Sequence, residues 1–349
     1  NSNISSSGNV GTSVIDIYTG ASMAAPGADV ITFSGQIEHQ VITTTDFDLR
    51  GNAKEQEIVK TYFDLGAEIG TDVQVISNGV YSIHDRTSGS TIKNYEIIAG
   101  ARSFTDTQVI SYLLYDRYGN AEHQTINTFD SETSTVDDFL VTRKDIVNTY
   151  GEITVELAGG AHETRSEAFA RKHGSALTTT SRETDKTDAF IQQSVTASDL
   201  FDLRGNAIDQ TTDKTSSGAS GAELLATRTV IHNSDINARG DAATQEITTS
   251  TTDDSGANLL ITSYQVMTNR RFDGRHNVMN QMSYNYDVKG GELLDISEIR
   301  SSGHTSSGVA RSQGIVTYDA NGTDVIEAKY IVNSNISSSG NVGTSVIDI

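Results

Sequence analysis

Side chains able to do chemistry are sparse in this chain and gather in its turns. Asp319, Asn321 and Asp324 in DANGTD, and Asp253 with Asp254 in TTDDSG, offer the oxygen ligands that Ca²⁺ prefers. Surface calcium is therefore the one cofactor the sequence suggests. The full calcium-loop signature, with its Gly at the sixth place and bidentate Glu at the twelfth, is missing, as is the G-G-x-G-x-D repeat. Asx turns account for the same residues, because Asp and Asn bond backbone two residues on, and that reading is preferred. The chain has no Cys, which excludes disulfides, thiolate metal sites and covalent haem attachment. His39 and His123 share one repeat position, just before Gln40 and Gln124, so repetition explains them better than metal binding.

One stretch resembles a catalytic motif. Gly20 to Pro26, GASMAAP, is similar to the nucleophile segment of subtilisin-like proteases, which implies Ser22 as nucleophile and His173 and Asp254 as its partners. Such chemistry needs a His to take the serine proton and an Asp to orient that His. The order here is Ser, His, Asp, the reverse of that family's, and no α/β pattern surrounds these residues. A loop of small residues is the preferred reading, and the chain is read as a non-enzyme without cofactor.

The elements that position these residues are built on one phrase: an aromatic, Asp, a Gly-Asn turn, then a strand that starts near a Gln. The clearest copy is FDLRGNAKEQ, carried by Phe47, Asp48, Gly51, Asn52 and Gln56. It returns with Tyr115, Asp116, Gly119, Asn120 and Gln124, and again with Phe201, Asp202, Gly205, Asn206 and Gln210. Looser copies carry Gly240 and Gln245, then Phe272, Asp273 and Gln281, then Tyr318, Asp319 and Gly322. A second turn type, Gly followed by acidic and aliphatic residues, alternates with the first: GAEIG at 66, GAELL at 221, GANLL at 256 and GGELL at 290. Turns this frequent, separated by strands rich in Thr, Val, Ile and Tyr, predict hairpins in series. Alternation of apolar and polar residues predicts one buried and one wet face. The recurring Gln40, Gln56, Gln124, Gln210, Gln245, Gln281 and Gln313 either form amide ladders between strands or face solvent. Residues 18–30 hold the only Pro, Pro26, and are read as an irregular insertion.

Residues 1–17 and 333–349 are identical, NSNISSSGNVGTSVIDI, at an offset of 332 residues. Either the chain is a tandem array with this period, or this stretch overlaps itself once. Both make it a section of a longer polymer and one continuous β-repeat array over 1–349. The net charge of −21 disfavours nucleic acid and anionic membrane surfaces as partners, and no run is long enough for a membrane span. Self-association, or continuation of the same chain, is the expected partner.

The phrase carried by Phe47-Asp48-Gly51-Asn52, Tyr115-Asp116-Gly119-Asn120, Phe201-Asp202-Gly205-Asn206 and Tyr318-Asp319-Gly322 resembles the YD repeat of Rhs and teneurin-type proteins. That resemblance implies serial hairpins wound into a spiral sheet on a giant exported protein, in that family closing as a hollow shell. The expectation is an all-β tandem hairpin array, a spiral sheet tube or β-solenoid. Its role would be structural, at an extracellular location or cell surface, in a filament, tube or sheath. The alternatives are an adhesin stalk that binds a ligand and a shell around a cargo or toxin domain.

Overall fold

The computed structural model describes residues 1–5, 8–23, 31–218, 221–253, 255–337 and 340–349. Among the described residues, twenty-two strands belong to a single sheet. The first nine are β1 (Ser2–Ile4), β2 (Val10–Met23), β3 (Ile31–Phe47), β4 (Ala53–Asp64), β5 (Ala67–Asn78), β6 (Gly89–Ile98), β7 (Ala101–Tyr115), β8 (Ala121–Phe129) and β9 (Leu140–Thr149). A side hairpin of β10 (Ile153–Glu156) and β11 (His162–Arg165) follows, then a short helix α1 (Glu167–His173). The array resumes with β12 (Thr178–Asp185), β13 (Phe190–Phe201), β14 (Ala207–Ser217), β15 (Glu223–Ile236), β16 (Ala242–Thr252) and β17 (Leu259–Phe272). It continues through β18 (Val278–Tyr286), β19 (Leu293–His304), β20 (Ala310–Asp319), β21 (Val325–Ile336) and β22 (Val342–Asp348). Each strand of the main run pairs antiparallel with its sequence neighbour, and β12 takes over from β9 where the side hairpin leaves the run. The expected all-β hairpin array is the observed fold.

The repeated Asp organises one end of these hairpins. Asp202 Oδ1 accepts the backbone N–H groups of Arg204 (2.8 Å) and Asn206 (2.9 Å), and its Oδ2 accepts the Asn206 side-chain amide (2.9 Å). Asp48, Asp116 and Asp273 make the same three bonds to their own turns. The turn residue Gly205 stands at φ 87°, where a side chain would be strained, and Asp202 N–H donates to the Asn206 carbonyl across the loop. This is a three-residue hairpin loop closed by a left-handed glycine. At Asn237 the chemistry is mirrored: Asn237 Oδ1 takes the two backbone donors, and its amide bonds Asp241. Two of the opposite hairpin ends, Leu65-Gly66 and Ala99-Gly100, use tighter turns with positive φ at both residues, whereas Asp185–Ala189 and Gly218–Ala222 close three-residue loops.

Bulges bend the run. The register slips just before the aromatic of the phrase, at Thr44/Asp46, Tyr112/Leu114, Ser198/Leu200 and Asn269/Arg271. It slips again near the opposite ends, as at Tyr62/Phe63 and Asn94/Tyr95. A bulge kinks its strand and adds right-handed twist, so regular bulges coil a long sheet. The sheet winds far enough that β19 meets β3 and β4, and β20 meets β5.

One expectation is corrected. Tyr18–Met23 do not open an irregular insertion; they extend β2 and pair with Ile31–Gln36, with the Tyr18 and Phe33 rings stacked 5.2 Å apart. Residues 24–30 lie outside the described residues. The irregular element is instead the side hairpin and α1, where Ile153, Val155, Ala170 and Phe201 form an apolar cluster and Gly174 caps the helix.

Asp202→Asn removes the charge and sets two amide N–H₂ groups against each other, so unfolding of the full chain in denaturant is expected to lose about 1–2 kcal/mol. The double change Asp202→Asn/Asn206→Asp reproduces the arrangement found at Asn237 and Asp241 and is expected to recover more than half of that loss. Equal losses for the single and double variants would refute this account of the turn.

Candidate functional site

Two polar systems stand out, one that runs across the strands of a tier and one at the seam where one tier of the winding sheet meets the next. The first consists of ladders that cross the strands. Ala207 C=O accepts from the Asn233 amide, Asn233 Oδ1 from Gln245, Gln245 Oε1 from Asn269, and Asn269 Oδ1 from Gln281, at 2.9–3.0 Å. The amide ladder predicted from the repeated Gln is thus present over β14–β18, with Asn rungs between the Gln rungs. Elsewhere the Gln bonds a hydroxyl twelve residues earlier, as Gln56 does to Thr44, Gln210 to Ser198 and Gln313 to Ser301. A second ladder runs from Lys60 Nζ to Gln74 (3.4 Å), from Gln74 to Asn94 (3.0 Å) and from Asn94 to Asp106 (2.8 Å) over β4–β7. Hydrogen bonding of this kind is what permits polar groups to be buried.

The second system joins tiers far apart in sequence. Arg311 on β20 is 1 % exposed. One Nη donates to Glu96 at 2.9 Å, the other to Asp72. Its guanidinium lies 5.0 Å from the centre of the Tyr62 ring, which is 0 % exposed. Arg275, 5.9 Å from the same ring, donates to Glu38 and to the His304 carbonyl. Tyr62 thus lies within 6 Å of two cations, Arg311 held by Asp72 and Glu96 and Arg275 by Glu38. Ser312 Oγ and Tyr330 Oη both donate to Asp64, at 3.2 and 3.1 Å, and Asn335 N–H donates to Glu96 at 2.8 Å. A cavity of about 760 Å³ opens beside this seam, lined in part by Phe63, Asp64, Arg271, Asn280, Arg300 and Tyr330.

Burial raises the carboxyl pKa of Glu38 and of Asp72, and Arg275 and Arg311 respectively counter it. Burial lowers the ammonium pKa of Lys60 and raises the phenol of Tyr62. The turn carboxylates behave oppositely. Asp48 is lowered by its bond from Asn52. Burial raises Asp202, but its bonds from Asn206 and Arg204 outweigh that and leave it lowered. Asp273 is lowered against burial by His304, Asn277 and its turn N–H donors.

The other candidate residues are dispersed. Asp319 spends its Oδ1 on the N–H groups of Thr323 and Asp324 and its Oδ2 on the Asn321 amide, as an Asx turn does. Ser22 lies exposed on β2 opposite Thr32, and His173 Nδ1 bonds the Phe169 carbonyl of its own helix. No hydrogen bond joins Ser22 to His173 among the described residues, and Asp254 lies outside them. His39 and His123 face Asp16 and Asp145 across strand pairs, at 2.7 and 3.5 Å. Of the repeat aromatics only Phe201 is fully buried; Phe47, Tyr115, Phe272 and Tyr318 are half-buried.

A further device was readable in the sequence but is not part of the phrase as first drawn. Arg50, Arg204, Arg239 and Arg275 each stand two residues after the turn Asp or Asn. Each donates to a backbone carbonyl of the next such turn: Arg50 to Tyr81, Arg204 to Ile236, Arg239 to Asp273 and Arg275 to His304. This row of clasps links hairpin end to hairpin end. Arg311 carries no such signal. The residue two before the repeated Gln is Glu38, Lys54, Glu122, Ile208, Ala243, Met279 and Arg311 in turn.

Arg311→Ala leaves Asp72 and Glu96 without their shared cation and is expected to cost about 3–5 kcal/mol. Hydrogen exchange should accelerate first at 62–72 and 301–313, and uniform acceleration over the chain would contradict a local seam. The pH dependence has a definite sign. Glu38 and Asp72, with raised folded-state pKa values, favour folding below their unfolded values and lose that contribution as pH rises through the folded ones. Asp48, Asp202 and Asp273, with lowered values, contribute above their unfolded pKa and lose it as pH falls through the folded one. The melting temperature is therefore expected to hold or rise slightly from pH 7 to about 5, then fall below about 4, the ordinary carboxylate range. A steady fall from neutrality would refute the assignment.

No protein-family model matches the chain, and no characterised protein matches it in sequence. Among solved structures, TcdB2-TccC3 aligns with 87 % of this chain and 26 % of its own, at 10 % identity and a TM-score of 0.12. A Photorhabdus luminescens Tc holotoxin pore aligns with 94 % of this chain and 24 % of its own, at 10 % identity and a TM-score of 0.14. The chain spans about a quarter of each of those chains, and scores this low carry no argument about fold or role.

Proposed function

We propose that this chain is the structural repeat unit of a long extracellular fibrous protein, forming a surface filament, tube or sheath. The observation that supports this most is that the two identical 17-residue stretches also fold alike. In β1–β2, Ser2 pairs with Thr12 and Ile4 with Val10; in β21–β22, Ser334 pairs with Thr344 and Ile336 with Val342. Asn3 and Asn335 share an unusual positive φ, 54° and 52°, and the turn glycines Gly8 and Gly340 stand at 85° and 88°. The last strands of the array thus repeat the first, and the sheet can continue into another period without a new kind of joint. The charge of −21 favours solubility and discourages lateral clumping of such a fibre.

The mechanical reading assigns no catalysis. Load along the array would be borne by antiparallel ladders, turn clasps and seam ion pairs. Among the described residues no helix is long and apolar enough to cross a membrane. A shell around cargo is the second reading, favoured by the winding that carries β19 onto β4. Negative-stain microscopy and fibre diffraction of the native material distinguish the two. Uniform filaments with a strand spacing near 4.8 Å are expected; closed particles of fixed size would overturn the filament and favour the shell.

A further inference from the structure

The cavity beside the seam is floored by one cross-strand row. The register sets Arg271 opposite Asn280, Asn280 opposite Arg300, Arg300 opposite Gly314 and Gly314 opposite Tyr330. Directly opposed residues of an antiparallel pair share a face, and all five line the cavity. Two strand spacings, about 10 Å, separate the backbones of the two arginines. Gly314 leaves the row open beyond Arg300, since a Cβ there would meet nothing within 4 Å. Phe63 and Asp64 of β4 line the cavity from the neighbouring tier.

Arg271 is exposed and makes no hydrogen bond, ion pair or ring contact among the described residues. Every other arginine of the chain has at least one such partner. In a chain of net charge −21, an uncompensated guanidinium at a cavity wall asks for an anion. The Asn280 side chain makes no hydrogen bond either, its Oδ1 being buried without a partner, and its amide N–H₂ donors are unspent. Arg300 holds Glu298 at 2.9 Å but is 71 % exposed, with donors to spare. Asp64 takes Ser312 and Tyr330 on Oδ2 alone, which leaves Oδ1 as an acceptor. The same bond steadies the Tyr330 ring.

We propose that this cavity binds an acidic sugar, a pyranose that carries a carboxylate. The carboxylate fits Arg271, whose planar fork can take both oxygens at once. The ring hydroxyls both donate and accept, so they fit the Asn280 amide, Arg300 and Asp64 Oδ1. The apolar C–H face of the sugar fits the rings of Phe63 and Tyr330. A bare anion would meet Asp64 as a like charge; hydroxyls turn Asp64 into a partner. About 760 Å³ lies within the range of small-molecule sites. The site needs one chain only and does not depend on the filament reading.

Calorimetric titration of the full 349-residue chain with glucuronate, glucose and acetate tests this. Glucuronate is expected to bind, and glucose and acetate to bind about tenfold more weakly or worse. Arg271→Ala is expected to lose a similar factor with an unchanged melting temperature, because Arg271 has no partner to lose. Gly314→Leu fills the opening, removes no charge and is expected to abolish binding. A tetrasaccharide with an internal glucuronate separates the sources: binding at least as tight as the free sugar's assigns a polysaccharide, and binding of the free sugar alone assigns a small acid. No binding of glucuronate, equal binding of acetate, or an affinity indifferent to both Arg271→Ala and Gly314→Leu overturns the proposal. Native filaments from a chain that ignores glucuronate would sink this site and leave the repeat unit. Binding beside non-filamentous native material would do the reverse.

Discussion

Arg311 is the constraint to which the winding of this sheet answers. A single-layer hairpin array has little apolar core, so where one tier meets the next it must bury polar groups. A buried guanidinium is tolerable only with its charge and donors met. Asp72 and Glu96, from strands more than two hundred residues away, meet its charge and take a bond from each Nη, the Tyr62 ring covers its face, and only Nε is left without a partner. Because those partners sit on different strands of one tier, the cation fixes both how far and in what phase the sheet has wound. Arg275 pairs with Glu38 beside the same ring. Hydrophobic burial could join the tiers in many registers; two directional ion pairs about one ring select one.

Within a tier the stabilisation is local and repetitive. One turn carboxylate gathers three N–H donors, one Arg clasps the next turn, and amide rungs tie the strands between. Each bond contributes modestly in net terms, but the bonds connect into networks whose members are mutually satisfied. The one buried apolar cluster among the described residues, at Ile153, Val155, Ala170 and Phe201, lies where the side hairpin and α1 interrupt the rhythm. A helix short of eight residues would not persist alone and is held there by packing.

The sequence made the hairpins, both turn types and the role of Asp48, Asp116, Asp202 and Asp273 legible, because turn geometry is dictated by a few adjacent residues. The amide ladder was foreseeable from recurring Gln, though its Asn rungs were not, since Asn233 and Asn269 precede their Gln partners by twelve residues in the opposite strand. The seam was invisible. Its partners are set by how far the sheet winds, and that depends on bulges, which leave no mark in composition. The small-residue run after Tyr18 suggested a loop because Gly and Ala carry weak strand preference, yet pairing with β3 overrides that preference through Tyr18–Met23.

The side hairpin and α1 also give an otherwise monotonous chain an address. Near-equivalent hairpins invite pairing with the wrong neighbour, because a misaligned strand would find similar residues opposite it. A segment that fits at one place alone, sealed by Phe201 and the parallel contact of β10 with β13, makes every shifted arrangement incur the loss of that cluster. In the proposed fibre it would recur once in each 332 residues, an internal ruler from which both the folding chain and the microscopist could count.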